Sequence, residues 1–263
     1  MPLKGRDDIA HLVRLWSSTE GRDKSTKCVQ YGSRALAWFL REKNEKMAVK
    51  LMALCTQVAD SRKIFRLGKF LNEYLQLRHL YGDMLESVCK SSSKSANEQR
   101  GIQLLQIASR SAYFWYWVFD NLLILSKVKI FRFDTKKLAK ICGYFWLIGL
   151  AASLAIEVNK YRKNRRRNTH PRSLLRQAEE TTGKDVPVNG NDTAANTVTK
   201  GLGHIQDEQR QSAFNILKII SDMLVAANLA TIPQKLSGRS LGDGIVGVAG
   251  FVSGAISCYQ LYD

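Results

Sequence analysis

Leu241–Tyr262 reads LGDGIVGVAGFVSGAISCYQLY, twenty-two residues carrying one charge, Asp243, near the start. At about 1.5 Å per residue a helix of that length reaches roughly 33 Å, enough for a hydrocarbon core of about 30 Å. Five glycines fall within the thirteen residues from Gly242 to Gly254. Glycine is a poor helix former in water but is tolerated in lipid, where an unpaired backbone is expensive. The pattern therefore predicts a membrane helix. Gly247, Gly250 and Gly254, with Ser253 and Ser257, make a small-residue stripe. Gly250 and Gly254 are a G-x-x-x-G pair, which predicts close approach of a second copy and a homo-oligomer.

Two further apolar stretches lie upstream. Ile141–Ile156 holds sixteen residues without a charge, about 24 Å of helix. That length leaves two readings open, a buried core helix or a span that recruits its flanks. Basic residues on both sides give no orientation. Ile102–Leu125 contains Arg110 and Asp120, and a charge at mid-bilayer costs roughly 2.5–3.5 kcal/mol. It is expected to pack on other helices or to lie at the interface, a boundary that suits Tyr113, Trp115, Tyr116 and Trp117.

The N-terminal region is patterned differently. Asn44–Asp60 sets Met47, Leu51, Leu54, Cys55 and Val58 on one helical face. From Ser61 onward Ile64, Leu67, Leu71, Tyr74, Tyr81, Leu85 and Val88 keep three-and-four spacing, interrupted by Arg78. Arg62, Lys63, Arg66 and Lys69 crowd the first turns. A basic start beside a long bulky stripe predicts an interfacial helix over about 61–88 that wedges one leaflet of an anionic membrane. The same spacing also describes the core face of a soluble bundle.

No stretch alternates with period two for long enough to build a sheet, and the four prolines lie outside the periodic segments. The predicted class is all-α, with amphipathic N-terminal helices followed by membrane-associated and transmembrane helices and a glycine-rich C-terminal span. The divisions are 1–90 for the amphipathic helices, 91–100 for a linker, and 101–176 for an aromatic and basic block. A polar loop expected to be disordered covers 177–211, and 212–263 forms the closing helix and span.

The chain has 40 Lys+Arg against 23 Asp+Glu, a net charge of +17. Much of the excess lies between Lys127 and Arg176, with 14 basic and 2 acidic residues. The cluster Lys160, Arg162, Lys163, Arg165, Arg166 and Arg167 directly follows an apolar segment, where a juxtamembrane lipid contact is expected. Such a run also fits a nucleic-acid arm, although that binding is mostly counterion release and weakly specific. Five widely spaced cysteines (Cys28, Cys55, Cys89, Cys142 and Cys258) form neither a C-x-x-C pair nor a zinc pattern, so a reducing, intracellular setting is expected. The polar Met1–Asp8 predicts no signal peptide.

Gly242–Gly247 matches G-x-G-x-x-G, but sixteen residues after Gly247 cannot complete a dinucleotide-binding unit. The four histidines lack metal-ligand spacing. No catalytic constellation, cofactor motif or metal site emerges, and a protein that is not an enzyme is expected.

Several segments resemble, in order, the peroxisomal membrane protein 11 family. Thr19–Arg34 (TEGRDKSTKCVQYGSR), with Ala37–Leu40 after it, is similar to that family's opening motif. Ser61–Leu71 (SRKIFRLGKFL) resembles the start of its membrane-remodelling helix, and Phe119–Ile130 its central block. Asp222–Ala227 and Gly247–Asp263 resemble its closing helix and terminal span. The resemblance implies a peroxisomal or related microbody membrane protein that tubulates the membrane and promotes division. It also implies self-association and cooperation with a dynamin-type GTPase and its membrane adaptor; no nucleic-acid partner is expected, and a basic nucleic-acid-binding helical protein ranks last among the alternatives. A pore for small solutes is the competing expectation, with Arg110 and Asp120 as the lumen candidates.

Overall fold

The computed structural model describes the backbone of residues 4–90, 94–182 and 192–262, and the side chains of 8–86, 99–167 and 203–262. Every element among them is a helix. In chain order these are α1 (Lys4–Ser17), α2 (Thr19–Leu40), α3 (Glu45–Ile64), α4 (Lys69–Lys90) and α5 (Lys94–Lys127). They continue as α6 (Thr135–Thr182), α7 (Asp192–Leu229), α8 (Ile232–Ser237) and α9 (Asp243–Tyr262). The all-α class is borne out.

Local chemistry sets the boundaries. Ser18 caps α2, its Oγ accepting from the Gly21 N–H at 2.9 Å, and Asn44 caps α3 by accepting from Met47 N–H at 3.0 Å. Side-chain oxygens of this kind satisfy amides that have no partner within the helix. The helix expected over 61–88 is not continuous. α3 stops at Ile64, and a turn through Gly68, with φ at +76°, restarts the chain as α4. Glycine reaches that left-handed conformation without a Cβ penalty. The freed Gly68 N–H donates to Asn121 Oδ1 at 3.0 Å. Helix also extends into the stretch expected to be disordered, since α6 runs to Thr182 and α7 begins at Asp192. Residues 183–191 lie outside the described residues, as do 91–93 of the expected linker.

Among the described residues three helices are long and apolar enough to cross a membrane, at Thr135–Arg167, Gly203–Leu229 and Asp243–Tyr262. The first contains Ile141–Ile156, and because the helix continues well past both ends it has the length to span. The second was not foreseen as a span, since Asp222 and Lys218 interrupt its apolar run.

The chain falls into two compact units, residues 1–153 with 218–263 and residues 154–217. In the first, α2 packs on α1, α3 and α9, while α4 packs on α5. Tyr31, Val225, Val246 and Ala249 form its buried core, with Trp146 and Leu241 against them. α5 meets the start of α6 through stacked aromatics, Tyr116 on Trp146 at 5.5 Å and Phe119 on Phe145 at 5.5 Å. In the second unit Asn164 donates to Glu208 at 3.2 Å and Asn215 to Glu157 at 3.4 Å, tying α6 to α7.

The glycine stripe of α9 is occupied by α2. A Cβ at Gly247 would lie 2.6 Å from the backbone nitrogen of Ala35, one at Gly254 2.9 Å from Cys28 Sγ, and one at Gly250 inside the Tyr31 ring. At the residues expected to form a self-association face, the close approach that small residues permit is made by α2 of the same chain. Gly250→Leu should therefore unseat α2. In detergent it should lower the thermal midpoint and speed proteolysis between α2 and α3, and an unchanged midpoint would contradict this packing.

Candidate membrane-engaging surface

α4 has two apolar sides. Its inner side meets α5, with Phe70 edge-on to Phe114 at 6.3 Å and Glu73 accepting from Arg110 at 3.2 Å. The outer side, Leu71, Tyr74, Leu75, Tyr81 and Leu85, is exposed, Leu85 by 72%. Ile64 and Leu67 extend the exposure into the end of α3 and the turn. The apolar residues read from sequence as membrane-facing (Ile64, Leu67, Leu71, Tyr74 and Leu85) are all on the outside.

Their basic companions are not. Arg62 is 8% exposed and donates to Asp23 at 3.1 Å and to Gln30. Lys69 Nζ lies 3.9 Å from the same Asp23 and 5.2 Å from the Trp117 ring centroid. Arg66 reaches Asp120 and the Tyr116 hydroxyl, each at 3.4 Å. Lys63 and Lys127 converge on Asp60 at 2.7 and 2.9 Å. The four cations expected to contact headgroups are thus each paired with an acid of the same chain. Buried carboxylates from α2 and α5 claim Arg62, Arg66 and Lys69, because a buried charge without a partner costs several kcal/mol.

These pairs differ in electrostatic balance. Burial alone would raise the Asp23 carboxyl, but Arg62, Lys24 and Lys69 outweigh it and hold the acid below its ordinary value. At Asp120 burial wins over Arg66, and the carboxyl is raised. Burial also pushes the Lys27 ammonium down, against the pull of Asp222. Lys27 Nζ donates to Asp222 at 2.7 Å and to Ser253 at 2.8 Å, joining α2 to α7 and α9. Arg34 closes the other end of that packing through Asp243 at 2.7 Å. Arg110 and Asp120, the lumen candidates, both sit in ion pairs.

The cluster Lys160, Arg162, Lys163, Arg165, Arg166 and Arg167 lies exposed along α6. Among the described residues no group of His, Cys, Asp or Glu could hold a metal ion.

One apolar face went unread in the sequence. On α1, Ile9, Leu12, Val13 and Trp16 form an exposed stripe. The opposite side faces protein with polar groups: His11 Nδ1 contacts the Tyr262 carbonyl at 3.0 Å, and Tyr262 Oη contacts Asp8 Oδ1 at 3.2 Å. The 3,4,7 spacing was present in the sequence as its signal.

The family model for peroxisomal biogenesis factor 11 matches residues 9–262. The chain belongs to that family. It is similar to the peroxisomal membrane protein 11 homolog of Dictyostelium discoideum, 24% identical over 97% of this chain and 94% of that protein. Peroxisomal membrane protein 11A of Arabidopsis thaliana is 24% identical over 98% and 93%. Peroxisomal membrane protein PMP30A of Candida boidinii is 22% identical over 97% and 94%. No solved structure matches. The expected peroxisomal membrane location is borne out by the family and by helices long enough to span.

Asp23→Asn should leave Arg62 and Lys69 without their shared acid. Breaking a buried pair costs about 3–5 kcal/mol, so the thermal midpoint in detergent should fall sharply while Asp23→Glu retains most of it. Equal midpoints for all three proteins would show that the acid contributes no stability.

Proposed function

We propose that this protein elongates the peroxisomal membrane and promotes fission without catalysis, by pressing exposed apolar helix faces into one leaflet. The outer side of α4 carries the reading: its large residues remain exposed although its inner side is already packed. Burying such residues removes about 25 cal/mol for each Å² of apolar surface, and volume added to one leaflet favours curvature. α1 supplies a second face through Ile9, Leu12, Val13 and Trp16. The exposed basic run of α6 adds attraction to anionic lipid, worth about 1 kcal/mol per residue near the surface.

Self-association belongs to this proposal through a surface other than the glycine stripe, which α2 fills. A dynamin-type GTPase and its membrane adaptor are proposed partners that would complete scission.

Leu71→Glu tests the reading without disturbing the fold, because Leu71 points outward. In cells with a marked peroxisomal membrane the variant should still reach the organelle but should lose elongation and proliferation. Trp16→Glu should weaken them. Full elongation by Leu71→Glu at equal expression would overturn the role of α4.

A further inference from the structure

Cys28 and Cys258 stand 230 positions apart, yet their sulfurs meet at 3.8 Å. Both thiols are free and partly exposed, whereas Cys55 and Cys142 are buried. The contact arises from the tight seat of α2 on α9. One turn before Cys258, Gly254 has no side chain where a Cβ would come within 2.9 Å of Cys28 Sγ. Ser25 Oγ lies 3.9 Å from Cys258 Sγ on the same side. Lys27 anchors the neighbouring turn to Ser253 at 2.8 Å, which fixes the register of the two cysteines.

We propose that Cys28 and Cys258 are an oxidisable pair that closes, under a peroxide, into an intramolecular disulfide fastening α9 to α2. The sulfurs must close by roughly 1.8 Å to reach the bonded length of about 2.05 Å. Rotation of two side chains already in contact supplies that movement. One thiolate attacks the O–O bond of hydrogen peroxide, forming a sulfenic acid as the other oxygen leaves as water. The second thiolate then attacks that sulfur, the S–S bond forms, and the sulfenic oxygen departs as a second water. In balance, two thiols and one peroxide give one disulfide and two waters, with two electrons passing from sulfur to oxygen. The bond would hold α2 over the glycine stripe even if the Lys27–Asp222 pair opened.

The full-length protein in detergent, exposed to hydrogen peroxide, blocked with N-ethylmaleimide and digested with trypsin, tests this directly. Cleavage after Lys27, Arg34 and Arg239 places the two cysteines in the peptides 28–34 and 240–263. The expected product is these peptides linked, two hydrogens lighter than their sum, from protein that runs as a monomer without reductant. Dithiothreitol should separate them. Cys28→Ser should remove the link and Cys142→Ser should leave it. Recovery of the two peptides unlinked, whether blocked or oxidised separately to sulfinic acid, would overturn the proposal. So would a link found only in covalent dimers.

Discussion

The close seat of α2 on α9 is the constraint from which the rest of the structure follows. Glycines at 247, 250 and 254 let the backbones approach until Ala35, Tyr31 and Cys28 fill the space that side chains would otherwise take. At that separation Lys27 reaches Ser253 and Asp222, and Arg34 reaches Asp243. The charge at the head of the terminal span is thereby matched within the chain. Small residues in membrane helices are commonly associated with oligomers. Here the same physics joins two segments of one molecule, and any partner copy must find a different surface.

The second organising element is the pair of buried acids. Asp23 on α2 draws Arg62 and Lys69 inward from either side of the Gly68 turn, while Asp120 on α5 takes Arg66. The turn itself is held by Asn121, one residue from Asp120. With Arg62, Arg66 and Lys69 committed to the interior, Ile64, Leu67, Leu71, Tyr74, Leu75, Tyr81 and Leu85 stay exposed along the end of α3 and along α4. The polar interior and the apolar exterior are therefore two sides of one arrangement. A change in Asp23 would alter the presentation of Leu67 and Leu71 without touching either.

Much of this was legible in the residues. The helical class followed from spacing and from the absence of alternation, and the terminal span from its uninterrupted apolar run. The five apolar positions of the surface followed from the stripe that begins at Ile64. What sequence could not give was partnership. Arg62 beside Ile64 looks the same whether its guanidinium meets a phosphate or an acid 39 residues upstream. Gly250 looks the same whether it receives Tyr31 or a second copy. The break at Gly68 was concealed because the stripe keeps its period across it. The spans through α6 and α7 were understated because charged residues at their ends and middles lower the local average, although several are paired in three dimensions.

The seat of α2 also bears on the order in which the molecule can be assembled. Lys27 and Ser253 are separated by 226 positions, so the helix made second must wait for the helix made ninth. Contacts that close such long loops form late and slow folding. During that interval Lys27, Tyr31 and the small residues around Ala35 have no companion, a state in which exposed apolar surface invites misassembly. A newly made chain therefore carries the α2 face without its seat until α9 has been made. Shortening the chain before Gly247 would deprive α2 of its seat and leave that early state permanent.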